Sequence, residues 1–213
     1  MHKEDGAFGD AEIRRALLSL LAVKHAGEAD TVVIEELALC HGQVRIDLMV
    51  VNSLLHGYEI KSNRDSLRRL DGQVDLYSKV LDRATIVVGN RHLLETLNRV
   101  PRWWGVLLVE SGTKPPRFKT MRRGRNNPRR DPRSLVELLW LDDAIALLAQ
   151  RDAARGVRGK PRRIVWDRVC DHFKVHEIAA TVRAQLRARA EPQACVRAPG
   201  TDPGVVGMKG EER

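Results

Sequence analysis

The chain has 213 residues, of which 43% are hydrophobic and 31% charged, and its net charge is +9. These totals provide for one full core and a smaller lobe, and no uninterrupted apolar run reaches the roughly 18 residues that span a bilayer. The positive charge favours a polyanionic partner, either nucleic acid or an acidic membrane surface.

Cysteine use and the first residues bear on the compartment. Cys40, Cys170 and Cys195 lie far apart and form no CxxC pair. An odd, sparse set argues against a disulfide framework and favours a reducing environment. The first 15 residues lack the apolar segment of a secretory signal. We therefore expect a cytoplasmic protein.

One helix and three strands are predicted first along the chain. In "DAEIRRALLSLLAV", apolar residues recur at helical spacing from Ile13 to Leu21, with Asp10 as the N-cap. The strands are "TVVIEELALC", "VRIDLMVV" and "GYEIK". Alternation in the last two predicts a core face made of Ile46, Leu48, Tyr58 and Ile60.

Helices and apolar strands then alternate up to Glu110. Helical spacing predicts a helix from Arg64 to Leu81, with a buried stripe made of Leu67, Leu70, Val74, Tyr77 and Leu81. The runs "ATIVVG" and "WWGVLLVE" are typical of strands covered on both faces. This order predicts an α/β fold: a mixed β-sheet flanked by helices, with a right-handed crossover between its parallel strands.

The composition changes after Glu110 and predicts three further segments. Residues 111–133 form a basic, Pro- and Gly-containing loop, and residues 134–190 form a helical extension. Residues 191–213 have too few large apolar side chains to pack and are predicted to be disordered. Residues 1–110 constitute the predicted core domain.

Charged residues inside the apolar hairpin are the main functional signal. Glu59 and Lys61 are two residues apart on one strand, so they point to the same face. Asp47 joins them if the hairpin register places it opposite one of the two. Burying these groups is costly unless something compensates their charge, and a divalent metal would do so.

Asp47 followed by Glu59-Ile60-Lys61 resembles the PD-(D/E)XK nuclease superfamily, whose core is restriction-endonuclease-like. The resemblance covers roughly Glu12 to Val109 and is nearest to an uncharacterised bacterial branch beside the Holliday-junction-resolvase and VRR-type nucleases. One departure is visible, because Ile46 stands where the signature has proline.

The resemblance implies a role for each matching residue. Asp47 and Glu59 would hold Mg²⁺ or Mn²⁺ with the Ile60 carbonyl as a further ligand, and Lys61 would orient the attacking water. A third carboxylate would come from Glu36 or from Glu12, with Glu35 as the fallback. The resemblance also assigns a catalytic contact with substrate or water to Gln73 and supporting roles to Tyr77 and Arg69.

The expected function is therefore a metal-dependent nuclease that acts on nucleic acid, on DNA more than RNA. Positive groups suited to phosphate contacts crowd the loop, and they are Lys114, Arg117, Lys119, Arg122, Arg123, Arg125, Arg129, Arg130 and Arg133. One alternative is a catalytically inactive nucleic-acid-binding accessory protein of a repair, defence or mobile-element system. Another is a homodimer or a complex with a protein partner through the C-terminal helices, and no membrane association is expected.

Overall fold

Six strands form one mixed sheet whose neighbour order, β1 to β6, follows the chain. The computed structural model describes residues 8–110, 112 and 114–190. The strands are β1 (Val32–Leu39), β2 (Val44–Val51), β3 (Leu55–Lys61), β4 (Arg83–Val88), β5 (Gly105–Glu110) and β6 (Arg117–Arg122). The pairs β3–β4 and β4–β5 are parallel, and the other neighbours are antiparallel. The predicted mixed α/β class is confirmed.

Helices cover both faces of this sheet. They are α1 (Asp10–Lys24), α2 (Leu70–Val80), α3 (Leu93–Arg99), α4 (Pro132–Val136), α5 (Leu141–Ala149), α6 (Arg162–His172) and α7 (Val175–Arg189). Helix α1 packs on one face through Ile13, Leu17 and Leu21, and α2 packs on the other together with α4 to α7. The helical extension thus shares a core with the sheet. The predicted tail, 191–213, lies outside the described residues.

Two helices begin at other residues than their patterns indicate. Helix α1 starts at Asp10 and is capped by Gly9, whose N–H donates to the Glu12 carboxylate at 2.9 Å. Helix α2 starts at Leu70 instead of Arg64, because the Asp65 carboxylate accepts hydrogen bonds from the Ser62 N–H and hydroxyl and closes a turn there. The predicted stripe is nevertheless confirmed, since all five of its residues are buried.

The face alternation of β2 breaks at Asp47. Leu48 packs under α1 with Tyr58, as predicted, but Ile46 packs into the opposite core, so the prediction for Ile46 is wrong. Paired residues of β2 and β3 extend only from Leu48 to Val51 on β2. Beyond this point the Asp47 carboxylate accepts a hydrogen bond from the Ile60 N–H at 2.7 Å. The two strands therefore diverge at Asp47.

The basic segment contains a strand that its composition did not indicate. Strand β6 pairs with β5 and forms one edge of the sheet. After β6 the chain returns across the end of α2, where the Asn127 amide donates to the carbonyl oxygens of Ser78 and Leu81. Part of the predicted loop is therefore integral to the fold.

Buried Asp82 joins the C-terminal region to the first hairpin. Its carboxylate accepts a hydrogen bond from the Leu55 N–H at 2.8 Å, contacts Arg130, and lies 3.6 Å from the Arg183 guanidinium of α7. One turn further along α7, Arg187 donates to the Asn52 carbonyl oxygen at 2.8 Å. Helix α7 is thus fixed to the β2–β3 turn by polar contacts as well as by apolar packing.

None of the helices in the described part of the chain combines the length and the apolar character that crossing a membrane requires.

His56 on β3 makes the stability of the fold depend on pH. Its Nε2 lies 2.9 Å from the Thr85 hydroxyl and its ring stacks on Tyr58. Burial, aided by the charges of Lys24, Arg83 and His25, lowers the pKa of His56 to about 3. Because an unfolded histidine titrates near 6.5, the unfolded chain binds the additional proton between these values.

We therefore predict that the free energy of unfolding falls as pH drops from about 6.5 towards 3, with His56 contributing up to about 1.4 kcal/mol per pH unit. His56→Gln should flatten this slope in urea unfolding measured at several pH values. His176→Gln, which alters an exposed histidine of α7, is the control and should leave the slope unchanged. Equal slopes for wild type and His56→Gln would contradict the prediction.

Candidate functional site

A cavity of about 780 Å³ opens where β2 and β3 diverge. Seven of the residues singled out from the sequence line it, and they are Glu36, Asp47, Glu59, Ile60, Lys61, Arg69 and Gln73. Tyr77 lies behind them in contact with Glu59. Glu12 is elsewhere, capping α1, and Glu35 is exposed on β1. The structure thus brings Glu36, rather than Glu12 or Glu35, beside Asp47 and Glu59.

Strand register explains why three carboxylates meet here. Glu36 stands opposite Asp47, because the flanking pairs are Glu35 with Leu48 and Leu37 with Ile46. Extending the β2–β3 register one step past the pair Leu48–Tyr58 places Asp47 opposite Glu59. One row across β1, β2 and β3 therefore carries three acidic side chains.

Glu59 is buried and fully hydrogen-bonded. Its side chain is 3% exposed, and its Oε1 accepts hydrogen bonds from Lys61 Nζ at 2.5 Å and Gln73 Nε2 at 2.6 Å. The Tyr77 hydroxyl lies 2.7 Å from Oε2 and 2.7 Å from the Arg45 carbonyl oxygen. Lys61 supplies the neutralising charge and the other two donors come from α2, so Glu59 ties β3 to that helix.

The Tyr77 hydroxyl stays protonated to a higher pH than the hydroxyl of a free tyrosine. Burial and the neighbouring Glu59 charge raise the pKa of its hydroxyl well above the usual value near 10. A protonated phenol can donate to Glu59 Oε2, whereas a phenolate there would repel it. The hydroxyl is therefore part of the stabilisation of the buried carboxylate.

Asp47 is held between the backbone of β3 and helix α1. Its Oδ2 accepts from the Ile60 N–H at 2.7 Å, and its Oδ1 accepts from the Arg14 guanidinium at 2.8 Å. Burial and the nearby charge of Glu59 raise the pKa of Asp47 to about 6, although both hydrogen bonds oppose that shift. Burial and Glu59 thus destabilise the negative charge of Asp47, and Arg14 offsets part of this destabilisation.

Arg14 also holds Glu36. The Arg14 guanidinium lies 2.7 Å from Glu36 Oε1, and Arg45 approaches Oε2 at 3.6 Å. Glu36 has a positive φ of 53°, an uncommon conformation for a residue with a side chain that costs on the order of 1 kcal/mol. The ion pair with Arg14 offsets this strain.

Sequence reasoning missed Arg14, Asp10 and Arg68, which also line the cavity. Asp65 lines the cavity as well. The only sequence signal for Arg14 is its spacing of four residues from Asp10, which suits a helical ion pair. Its contact with Asp47 joins residues 33 positions apart, and no local pattern encodes that distance.

The described arrangement does not fit the divalent metal that the resemblance implied. Within residues 8–110, 112 and 114–190, no group of three or more His, Cys, Asp or Glu side chains is placed to hold a metal ion. The oxygen atoms of Asp47 and Glu59 already accept hydrogen bonds from Ile60, Arg14, Lys61, Gln73 and Tyr77. Protein cations and donors therefore take the positions that a metal ion would need.

Of the nine predicted nucleic-acid contacts, Arg133 lies over the Trp166 ring and 3.4 Å from the Asp167 carboxylate, and the other eight divide into three groups. Arg122 donates to the carbonyl oxygen of Trp104 at 2.8 Å and Arg130 pairs with Asp82, so both stabilise the fold. Exposed cations after the end of β6 are Arg123, Arg125 and Arg129. Exposed cations before β6 or in its first half are Lys114, Arg117 and Lys119.

The start of β6 lies at the same edge of the sheet as the cavity. Lys61, Val88, Leu108 and Lys119 are successive register partners across β3, β4, β5 and β6. With neighbouring strands about 4.8 Å apart, the backbones of Lys61 and Lys119 are roughly 14 Å apart. Paired residues point to the same face, so both belong to the face that α2 covers.

We call the exposed cations at this edge the carboxyl-edge cations, because β3, β4 and β5 all end there. They are Arg64, Arg68, Arg69, Arg91, Arg117 and Lys119. They follow β3, follow β4, or lie in the first half of β6, and Arg68 and Arg69 also line the cavity.

Comparison with known proteins gives three matches. A family model described as Bacteriophage P4 protein cII matches residues 3–198. The curated "Protein cII" of Enterobacteria phage P4 is 34% identical over 116 residues, which is 54% of this chain and 44% of that relative. The chain therefore matches less than half the length of this relative. A solved structure, the SPO1766 protein of unknown function from Silicibacter pomeroyi, has a TM-score of 0.39 and 22% identity, covering 64% of this chain and 89% of that one.

These matches correct the functional prediction. The family model spans most of the chain and is not a nuclease family, and the name of the curated relative denotes no nuclease. Membership of the PD-(D/E)XK superfamily, nuclease activity and the assignment as a hydrolase are therefore wrong. The three-residue pattern identified a real cluster of charged side chains but assigned it the wrong chemistry.

The network around Glu59 predicts an asymmetry between two buried tyrosines. Tyr77→Phe removes a donor from a buried carboxylate and should lower the free energy of unfolding by about 1–3 kcal/mol in urea unfolding. Tyr58→Phe is the matched control, because the Tyr58 hydroxyl has only a 3.4 Å contact with His56, and it should cost less than about 1 kcal/mol. Equal losses would show that Glu59 does not depend on the Tyr77 hydroxyl.

Proposed function

The chain belongs to the bacteriophage P4 protein cII family, and from this premise we propose that it binds nucleic acid without catalysis, DNA in preference to RNA. The observation that carries the proposal is the group of carboxyl-edge cations. Six exposed arginine and lysine side chains at one edge of the sheet, in a chain of net charge +9, favour a polyanionic ligand.

The topology supports a continuous binding surface rather than scattered charges. Parallel strands β3, β4 and β5 end at one edge, so Arg69 after β3 and Arg91 after β4 lie on the same side of the molecule as Lys119 of β6. The register distance of roughly 14 Å between Lys61 and Lys119 corresponds to about four base-pair steps of 3.4 Å. A segment of duplex backbone matches a surface of this length.

Arg117 and Lys119 are the preferred residues for testing the surface. Both are exposed on the edge strand. By contrast, Arg122 donates to the Trp104 carbonyl oxygen and Arg130 pairs with buried Asp82, so changing either of those would disturb the fold. Charge reversal at these two positions therefore changes the proposed surface without removing a packing contact of the core.

We predict that Arg117→Glu/Lys119→Glu weakens binding of labelled duplex DNA about tenfold or more in fluorescence anisotropy, and lowers the slope of log affinity against log salt by about 2. Single-stranded DNA and RNA oligonucleotides of equal length define the preference. Lys160→Glu/Arg162→Glu, on exposed residues at the start of α6, changes the net charge by the same amount and is the control. An equal loss in both variants, or no binding by the wild type, would contradict the proposal.

The finer architecture is also a proposal. The antiparallel β1–β2–β3 order followed by parallel β4 and β5 supports a restriction-endonuclease-like topology as a description of the sheet, with no activity attached. A cytoplasmic location stays a prediction as well, supported by unpaired Cys40 and Cys170 and tested by fractionation of expressing cells.

A second proposal concerns the C-terminal helices as a surface for a second copy or a protein partner. Trp140 before α5 is 66% exposed, and the Arg189 guanidinium lies 3.9 Å from the centre of its ring. A large exposed aromatic side chain favours a contact with protein. Light scattering of wild type and Trp140→Gln at rising concentration tests self-association, and an unchanged monomer mass in both would rule out the second copy.

A further inference from the structure

Arg14 of α1 makes four polar contacts in the cavity. Its two terminal nitrogens lie 2.7 Å from Glu36 Oε1, 2.8 Å from Asp47 Oδ1, 3.3 Å from Asp10 Oδ2 and 3.0 Å from the Asp47 carbonyl oxygen. Its side chain is 17% exposed. One guanidinium thus contacts three carboxylates that belong to α1, β1 and β2.

The oxygens that Arg14 contacts are of the kind that a divalent cation takes as ligands. Mg²⁺ and Mn²⁺ sites use carboxylate and carbonyl oxygens, and Mg²⁺ requires them at about 2.1 Å in octahedral geometry. Glu36 Oε1 and the Asp47 carbonyl oxygen contact one terminal nitrogen of the guanidinium, and Asp47 Oδ1 contacts the other. A metal ion could reach these oxygens only if Arg14 left.

Electrostatics retains Arg14 in this position. Although burial disfavours its charge, the attraction of Asp47, together with Asp10 and Glu36, leaves the pKa of Arg14 above its ordinary value. An arginine fork also matches paired carboxylates geometrically, which a lysine would not do. The cation is therefore permanently charged and has several partners.

We propose that Arg14 is the resident cation of the cavity, so that the wild-type protein binds no divalent metal there, and that removing its charge opens a divalent-cation site on Asp47 and Glu36. Nucleic-acid binding at the carboxyl edge does not enter this inference. Failure of either proposal therefore leaves the other standing.

The test is a titration of the full chain with Mn²⁺, in which binding is measured by electron paramagnetic resonance and by calorimetry. Arg14→Gln keeps an amide donor but removes the charge, and it should bind one Mn²⁺ per chain in the cavity, at least about tenfold more tightly than any Mn²⁺ binding that the wild type shows. The double variant Arg14→Gln/Asp47→Asn should lose this gain. Arg15→Gln, an exposed neighbour on the same helix, is the matched control and should behave as the wild type.

Two results would overturn the inference. One is a folded Arg14→Gln, by circular dichroism, that gains no Mn²⁺ affinity. The other is a wild-type protein that binds Mn²⁺ and loses it on Asp47→Asn. If Arg14→Gln does not fold, thermal unfolding of the wild type and of Asp47→Asn with and without Mn²⁺ still tests the inference. Mn²⁺ should leave the melting temperature of both unchanged.

Discussion

Three carboxylates in one row across β1, β2 and β3 set the main constraint on this molecule. Glu36, Asp47 and Glu59 are adjacent by strand register, and two of them lie in or near the core. Adjacent negative charges removed from water are strongly unfavourable unless opposite charges and hydrogen-bond donors approach closely. Helices α1 and α2 supply those groups, so both helices are fixed to the sheet by charge as well as by apolar burial.

The two helices neutralise the row in different ways. From α1, Arg14 shares one positive charge between Asp47 and Glu36 at the open side of the cavity. From α2, Gln73 and Tyr77 donate hydrogen bonds to the Glu59 carboxylate. The positive charge that balances Glu59 comes from Lys61 on the same strand. A buried ion pair alone seldom stabilises a fold, but one whose remaining oxygens are all hydrogen-bonded avoids the cost of an unsatisfied charge. The row is therefore compatible with a stable, metal-independent core.

Local patterns predicted much of the fold, and the misses have physical causes. The mixed sheet and the stripe of α2 follow from periodicities of 2.0 and 3.6 residues, which the sequence displays directly. The face change of Ile46 could not be predicted, because it arises when the Asp47 carboxylate replaces a strand partner. Strand β6 was hidden because an edge strand with exposed arginine and lysine has no apolar alternation.

The candidate site shows the same division between local and distant information. Glu59, Lys61, Gln73 and Tyr77 lie within one strand–helix unit. Spacing predicted that Glu59 and Lys61 share a face, and the resemblance pointed to Gln73 and Tyr77. Arg14 is 33 residues from Asp47, and nothing near either residue announces the contact. The short pattern therefore predicted where charged side chains gather. It did not indicate that an arginine of a distant helix neutralises part of this cluster, and the enzyme class inferred from it is overturned by the family match.

The polar contacts between α7 and the β2–β3 hairpin have a consequence for how the chain folds during synthesis. The hydrogen bond from Arg187 to the Asn52 carbonyl joins residues 135 positions apart, and Asp82 reaches its second arginine only when α7 arrives. A ribosome-bound chain that ends before α7 would expose the apolar surface of α4 and leave Asp82 paired with Arg130 but not with Arg183. Contacts so distant in sequence slow the search for the native topology. Release of the C-terminal helices from the exit tunnel is accordingly the step at which the sheet can first become fully protected from solvent.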